Sequence, residues 1–257
     1  MKGTEIYRER FYRSWITTED LVSFQVQEKE SDLLIRTLSP LEKEARKILK
    51  KVRRDIEDYL KMDPLFGITL EPYHPVSDAP PVIKKMAKFA RRVKVGPMAG
   101  VAGAVAEEVG MGLAEYSPEV IVENGGDIFI LSRKKRRIKV YAGKDSPFRN
   151  LLTFNIYPEF TPVGICTSSG KVGHSLSLGN ADAVVVISNS VILADVTATA
   201  LGNRVKEERD IEKGIRWVSR IKGIRGALVI KDGKMGVWGD MELEEKTGKG
   251  GENLCPR

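Results

Sequence analysis

The pattern of apolar and polar positions divides the first part of the chain into predicted strands and one long helix. Between Leu41 and Leu60, apolar residues recur every three or four positions, which predicts an amphipathic helix. Ser39 and Pro40 are predicted to cap and begin this helix, and Asp63-Pro64 to end it. Three earlier segments have the composition of strands. These segments are Glu5 to Ile16, Leu21 to Glu28 and Asp32 to Thr37.

The same pattern predicts further helices and strands along the rest of the chain. Val82 to Val93 and Asp210 to Ile221 are amphipathic, and a helix of small residues follows Gly96-Pro97. The predicted strands are Val120 to Val122, Ile128 to Leu131, Ile138 to Ala142, Leu152 to Ile156, Ala183 to Ser188, Ala227 to Ile230 and Met235 to Trp238. This order indicates an α+β fold with a largely antiparallel sheet.

We expect residues 1–243 to form a single domain, because no boundary or internal repeat is visible in the sequence. Within it, residues 1 to about 62 would form a β-rich segment and a helix. The polar, glycine-rich residues 244–257 are predicted to be a flexible tail. A homodimer is the default expectation for an oligomer of such a protein.

Composition narrows the class of protein and its partners. The chain has 257 residues, 42% of them hydrophobic, which is typical of a globular protein. Its net charge of +7 suits a small anionic ligand such as a nucleotide. Two cysteines in unlike surroundings predict no disulfide framework. No apolar run approaches the roughly 18 residues of a membrane span, and the N-terminus does not resemble a signal peptide. We therefore expect a cytoplasmic protein with no membrane partner.

A predicted helix between Val163 and Val205 carries a candidate metal site. Asp195 and Thr199 lie four positions apart, so their oxygens would point from one helix face. A carboxylate and a hydroxyl suit a hard cation such as Mg²⁺, which takes few protein ligands. Alternatively, both side chains form only local hydrogen bonds.

The same stretch holds three other candidate groups, each with a structural alternative. A small polar turn could bind phosphate through its N–H groups or could be an ordinary surface turn. His174 could act as a general base or be a hydrogen-bonded side chain. Cys166 could be an activated thiolate or a buried, unreactive thiol. The turn consists of Thr167, Ser168, Ser169 and Gly170.

Two glycine-rich segments before this stretch also suggest contact with a ligand. Gly125, Gly126 and Asp127 interrupt a strand pattern, which indicates a bulge, a close backbone approach to a ligand, or a plain hairpin turn. The helix that contains Gly100 and Ala102 has almost no side chains at its start. It could offer backbone N–H groups to phosphate or pack tightly against another helix.

The most basic run, Arg133 to Lys139, could belong to a nucleic-acid-binding surface. No aromatic residue is interleaved in it, which favours a solvated hairpin with edge lysines over a nucleic-acid groove. We therefore do not expect nucleic acid as the principal partner.

The order of these motifs resembles that of the ApbE-like superfamily. The similarity covers roughly residues 80–240, from the glycine-rich helix through Asn124-Gly125-Gly126-Asp127 to Asp195 and Thr199. The best-known members are flavin transferases, which move FMN from FAD onto a threonine or serine of a target protein. The sequence is most similar to a cytoplasmic branch of the superfamily to which no function is assigned. The resemblance implies an α+β fold.

The resemblance also implies roles for individual residues. Asp195 and Thr199 match the Asp and Thr that bind Mg²⁺, together with the carbonyl of Ala102. His174 matches a family histidine. Residues matching the FAD site are Gly100, Gly125, Gly126, Asp127 and the turn from Thr167 to Gly170.

Three departures from the family pattern bear on activity. Gly103 stands where the family has a lysine. Only Lys171 to Gly173 separate the polar turn from His174, and Ser175-Leu176-Ser177 replaces an Asp-Pro that usually follows the histidine.

The leading hypothesis is a protein that binds a flavin nucleotide or related anionic molecule, with Mg²⁺-dependent FMN transfer as its enzymatic form. One alternative is sulfur handling, with Cys166 as persulfide carrier or thiol nucleophile. Another is a non-enzymatic module that binds nucleic acid or protein.

Overall fold

The structure is a computed structural model that describes residues 18–139, 153–168 and 181–241. Its central feature is an antiparallel sheet of eight strands. Its strand order is β1-β2-β3-β4-β7-β8-β9-β10, and β5 pairs with β6 in a separate antiparallel ribbon. The strands are β1 Val22–Glu28, β2 Ser31–Thr37, β3 Val120–Asn124, β4 Asp127–Leu131, β5 Arg136–Lys139, β6 Thr153–Ile156, β7 Val163–Ser168, β8 Ala183–Ser188, β9 Ile224–Lys231 and β10 Lys234–Gly239.

Six α-helices accompany the sheet in the described part of the chain. They are α1 Glu42–Met62, α2 Pro64–Ile68, α3 Pro81–Val93, α4 Val101–Leu113, α5 Val191–Arg204 and α6 Ile211–Val218, with a short 3₁₀ helix at Pro97–Gly100 leading into α4. The predicted α+β fold with a largely antiparallel sheet is therefore confirmed. None of the described helices combines the length and apolar character that crossing a bilayer requires.

The central strands are covered on both faces. In β3, Val120 and Val122 join the core under the helices, whereas Ile121 between them joins a second core. The second core includes Ile138, Phe154 and Ile156 of the β5–β6 ribbon. Side chains of a strand alternate between its faces, so burial on both sides explains why these strands are apolar throughout rather than alternating.

Helices α4 and α5 pack closely against each other between the sheet and the other helices. Glycines make this packing possible. A Cβ on Gly100, directly before α4, would lie 2.7 Å from a Val196 methyl carbon of α5, and one on Gly110 of α4 would lie 2.2 Å from the Phe129 ring of β4. The tightly packed helix pair considered from the sequence is therefore what forms at the glycine-rich segment. It brings the first turns of α4 against α5.

The predicted start of α1 is wrong. The helix begins at Glu42 and has no side-chain cap, and its N-cap residue is Leu41. Ser39 instead accepts a hydrogen bond at its carbonyl oxygen from Thr37 Oγ1, 2.6 Å away. Residues 38–41 connect β2, the second strand of the sheet, to α1, and Ser39 lies in this connection. The short helix α2 after Asp63-Pro64 was not predicted.

Several predictions fall on residues outside the described ranges. These are the strand at residues 5–16, the tail at residues 244–257 and the inner ends of the strands near residues 142 and 152. The division into one domain plus tail stays a prediction.

Candidate functional site

The paired glycines of the sequence form the two-residue turn of the β3–β4 hairpin. Both Gly125 and Gly126 have positive φ angles, 66° and 104°, which tight hairpin turns favour. A Cβ on Gly126 would lie 2.6 Å from Oγ1 of Thr167, and that hydroxyl donates a hydrogen bond to the Gly126 carbonyl at 3.2 Å. The plain hairpin among the sequence alternatives is the one observed. The turn also contacts the end of β7.

Two side chains beside the turn, which the sequence reasoning missed, fix its surroundings. Asn124 donates from Nδ2 to the carbonyl oxygen of Ala102 at 3.0 Å, which connects the hairpin to the first turn of α4. Glu123 accepts a hydrogen bond from the backbone N–H of Gly126 at 3.0 Å. Their positions directly before the double glycine were the available sequence signal.

Asp195 lies against the start of α4. Its Oδ2 accepts a hydrogen bond of 2.8 Å from the backbone N–H of Gly103. That N–H is among the first of the helix and has no partner inside it, so the carboxylate satisfies a free donor. A Cβ on Gly103 would lie 2.8 Å from both Asp195 Cβ and Val191 O. Position 103 therefore has no room for a side chain in this arrangement.

Glu107 of α4 holds the start of α5 and so helps to place Asp195. Its Oε2 accepts hydrogen bonds from Ser190 Oγ at 2.7 Å and from the backbone N–H of Ile192 at 3.3 Å. Ser190 is in turn the N-cap of α5, accepting from the N–H of Leu193. The Glu107 role was not predicted, because it depends on a contact between helices far apart in sequence.

Asp127 and Asp195 form an electrostatically interacting pair of carboxyl groups. Asp127 is only 6% exposed, and its Oδ1 has no hydrogen-bond partner. Burial raises the pKa of Asp127 well above its ordinary value, and the charge on Asp195 raises it further. Burial also raises the pKa of Asp195 to about 7, against the lowering effect of the Gly103 hydrogen bond. The two groups cannot both be charged there without a compensating positive charge.

Cys166 of β7 is the strand partner of Asp127 and is fully buried. Its thiol donates a hydrogen bond to the Val191 carbonyl oxygen at 3.3 Å. Burial raises the pKa of the thiol well above its usual range, and the negative charges of Asp127 and Asp195 add to this. A group that stays protonated and inaccessible is a poor nucleophile. The structure therefore gives no support to Cys166 as catalytic thiol or persulfide carrier.

The remaining predicted residues differ in what the structure says about them. Thr199 lies one helical turn after Asp195 and is partly exposed, as the proposed pairing on one helix face requires. Gly100 packs against Val196 and Ile192 of α5, so its contacts are with α5 side chains. Ser168 is the last residue of β7. Ser169, Gly170 and His174 lie outside the described residues.

The donor set at this site fits a magnesium ion. Among the residues that the structure describes, no group of three or more His, Cys, Asp or Glu side chains is arranged to hold a metal. Mg²⁺ keeps several waters and uses only one or two carboxylates, so Asp195, Thr199 and the Ala102 carbonyl suffice. The unpartnered oxygen of Asp127 beside Asp195 is the structural observation that favours a cation here.

The basic run is partly built into the fold. Arg136 is 3% exposed and forms ion pairs with Glu119 at 2.7 Å and with Asp20 at 2.6 Å. Because the Arg136 charge is buried in these ion pairs, it adds nothing to the positively charged surface that the basic run could offer to nucleic acid.

An open groove of about 590 Å³ lies at the other end of α4 and β4, beside Tyr116, Leu131 and Arg133. It brings together none of the predicted site residues. The candidate site therefore remains the region around Gly126, Asp127 and Asp195.

Comparison with protein families and relatives gives a consistent result. A model of the family described as AbpE bacteria matches residues 13–235. A UPF0280 protein of Methanothrix thermoacetophila is 41% identical over 191 residues, covering 74% of this chain and 79% of the relative. One from Methanosarcina acetivorans is 40% identical over 220 residues, covering 83% and 85%.

Solved structures share the fold. The flavin transferase ApbE from Vibrio cholerae superposes with a TM-score of 0.58 at 15% identity, covering 86% of this chain and 97% of that one. The apo form of Pseudomonas stutzeri flavinyl transferase ApbE gives a TM-score of 0.58 at 12% identity, covering 85% and 94%. At such identities the likeness establishes the fold alone.

Proposed function

The chain belongs to the AbpE bacteria family, and from this premise and the geometry of its site we propose that it binds a flavin nucleotide, FAD, together with Mg²⁺. The resemblance to the ApbE-like superfamily is confirmed by that family match and by the shared fold. The observation that carries the functional proposal is the convergence of the Gly125-Gly126 turn, the start of α4 and Asp195.

The main-chain atoms of the Gly125-Gly126 turn would contact the nucleotide. A Cβ on Gly125 would meet nothing within 4 Å, so one side of the turn is open. At Gly126 the backbone is tied to Thr167, which keeps the turn in place against β7. Glycine permits close approach of a ligand to the main chain, and a fixed main chain binds without first losing mobility.

Asp195, Thr199 and the Ala102 carbonyl would hold the magnesium ion, which supplies positive charge for the pyrophosphate when bound. The chain's own residues orient these ligands. Asn124 fixes the Ala102 carbonyl from one side, and the Gly103 N–H fixes the Asp195 carboxylate. Such supporting hydrogen bonds typically change metal affinity about 10–100-fold when lost.

The enzymatic form of the proposal is transfer of FMN from FAD to a hydroxyl of a target protein: a phosphoester forms at that hydroxyl, the pyrophosphate bond of FAD breaks, and AMP leaves. His174 is the candidate for the group that takes the proton from that hydroxyl. This assignment rests on the family resemblance, and the residue lies outside the described ranges.

Titration of the purified protein with FAD tests the binding proposal. We expect saturable binding, by flavin fluorescence and by calorimetry, that strengthens with Mg²⁺ and weakens in Asp195→Asn. Asp78→Asn, which removes an exposed carboxylate elsewhere, should bind as the wild type does. The absence of FAD binding by both methods, with and without Mg²⁺, would refute the proposal.

A further inference from the structure

We propose that Asp127 is a cation-holding residue, and that Asp127 and Asp195 together bind a hard divalent cation before any nucleotide arrives. The inference rests on the proposed function in that it places the cation in the same site. It differs in assigning a second carboxylate and an order of binding. The family resemblance implies only that Asp127 lines the nucleotide site.

The unsatisfied state of Asp127 is the first argument. Asp127 is only 6% exposed, and its Oδ1 has no hydrogen-bond partner. The Cys166 thiol lies 3.3 Å from the Val191 carbonyl oxygen and also interacts with the Asp127 carboxyl group, yet Oδ1 of Asp127 still lacks a partner. A buried carboxyl oxygen without a donor is unfavourable by itself, so a polar partner for it is expected.

A chain of contacts places Asp127 near Asp195. Asp127 is the strand partner of Cys166, whose sulfur lies 3.3 Å from Val191 O. Val191 is one turn before Asp195 on α5. The position of a Cβ on Gly103 would be 2.8 Å from both Val191 O and Asp195 Cβ, so these atoms surround one small region.

The two carboxyl groups of this region are not compensated by a basic side chain of the residues that the structure describes. In the described part of the chain, neither Asp127 nor Asp195 forms an ion pair with a lysine or arginine. The absence of room for a side chain at position 103 prevents that residue from supplying one. A positive charge must therefore come from a ligand if both carboxylates are to be ionised.

The ligand types select a hard cation. Two carboxylates and the Ala102 carbonyl are all oxygen donors, which suit Mg²⁺ or Mn²⁺. A soft metal would need the Cys166 thiolate, but that thiol is buried and hydrogen-bonded to Val191 O. The site is therefore expected to take a hard divalent cation through oxygen atoms, without the Cys166 sulfur as a ligand.

The test measures Mn²⁺ binding to the full chain without nucleotide, by electron paramagnetic resonance of the free ion. The wild type and Asp78→Asn should bind Mn²⁺ equally, whereas Asp127→Asn and Asp195→Asn should each weaken binding roughly tenfold or more. Without metal, Asp127→Asn should have a thermal midpoint equal to or above that of the wild type, because it removes repulsion from Asp195 and keeps the shape.

Three results would overturn the inference. The first is that the wild type binds no Mn²⁺ in the absence of nucleotide, and the second is that Asp127→Asn binds Mn²⁺ with wild-type affinity. The third is that Asp127→Asn fails to fold, because this substitution removes only a carboxylate that is unfavourable without the cation. Mn²⁺ binding with no FAD binding would reject the proposed function but retain the cation site. If FAD binding depends on Mg²⁺ and is unchanged in Asp127→Asn, the proposed function is retained and the role of Asp127 as a cation ligand is rejected.

Discussion

Gly103 sets the distance between α4 and the Asp195 carboxylate. Its N–H holds that carboxylate at 2.8 Å, and its missing side chain leaves space for α5 to approach. Gly103 thus provides a hydrogen-bond donor, and its lack of a side chain lets the two helices come close together. The sequence predicted the small residues and Asp195 separately. It could not predict their contact, because the two residues are 92 positions apart and no local pattern links them.

Substitution of Gly103 by alanine should separate α4 from α5 locally. The new methyl group would lie 2.8 Å from backbone and Cβ atoms that cannot rotate away, so we expect a loss of about 1–3 kcal/mol in the free energy of unfolding and weaker Mn²⁺ binding. Gly112→Ala on the same helix is the control, since its Cβ meets the movable end of Ile48 at 2.9 Å.

Urea denaturation and metal titration of both variants measure these effects. The claim about Gly103 fails if Gly103→Ala is as stable as Gly112→Ala and binds Mn²⁺ as the wild type does.

At the scale of elements, the predictions were most accurate where periodicity is strong. Helix α3 was predicted at Val82 to Val93 and is found at Pro81–Val93, and the last hairpin turns at Asp232-Gly233 as expected. The predicted start of α1 is wrong because Ser39 lies in the connection from β2, where its carbonyl oxygen accepts a hydrogen bond from Thr37, and a favourable capping sequence does not reveal this. The sequence alone does not decide whether Cys166 is an activated thiolate or a buried, unreactive thiol, because the answer depends on its burial beneath α5.

The strand β5 depends on a buried ion pair that should make stability fall in acid. Burial alone would raise the pKa of Glu119, but hydrogen bonds from Ser132, Arg136 and the Arg133 N–H together lower it below 4.5. Hydrogen bonds from Arg136 and Lys134 likewise lower the pKa of Asp20 below 3.8. Folded-state pKa values below the unfolded ones mean that the stabilisation is present above about pH 4.5 and is lost as pH falls further.

We therefore expect the free energy of unfolding to decrease from pH 6 to pH 3, and to decrease less in Glu119→Gln. Removal of Arg136 instead, as in Arg136→Met, leaves a buried charge unpaired and should destabilise the protein at pH 7 by about 3–5 kcal/mol. Chemical denaturation at several pH values provides the measurement. Equal pH dependence in the wild type and Glu119→Gln would contradict this assignment.

At the scale of the whole molecule, the charges of the chain and of its site have opposite signs. The chain carries a net charge of +7, whereas the site holds two interacting carboxyl groups. The proposed anionic nucleotide would be attracted by the molecule as a whole, whereas any ionised carboxylate at the site would repel it unless a cation were present. Cation and nucleotide should therefore bind cooperatively.

This cooperativity predicts that Mg²⁺ and FAD stabilise the protein more together than separately. The shift in thermal midpoint with both ligands should exceed the sum of the two individual shifts, and EDTA should remove the excess. Thermal denaturation with each ligand, with both and with EDTA measures the effect. Strictly additive shifts would show that the two ligands do not interact.

The hydrogen bond between Gly103 and Asp195 also has a consequence for biosynthesis. Because the chain is made from its N-terminus, 92 residues must be added after Gly103 before its acceptor exists. A nascent chain that ends before α5 contains the hairpin and the first turn of α4 but lacks the carboxylate of Asp195. Binding of the proposed metal ion would therefore wait until translation is well advanced, and a truncated product would be unable to bind the ion through Asp195.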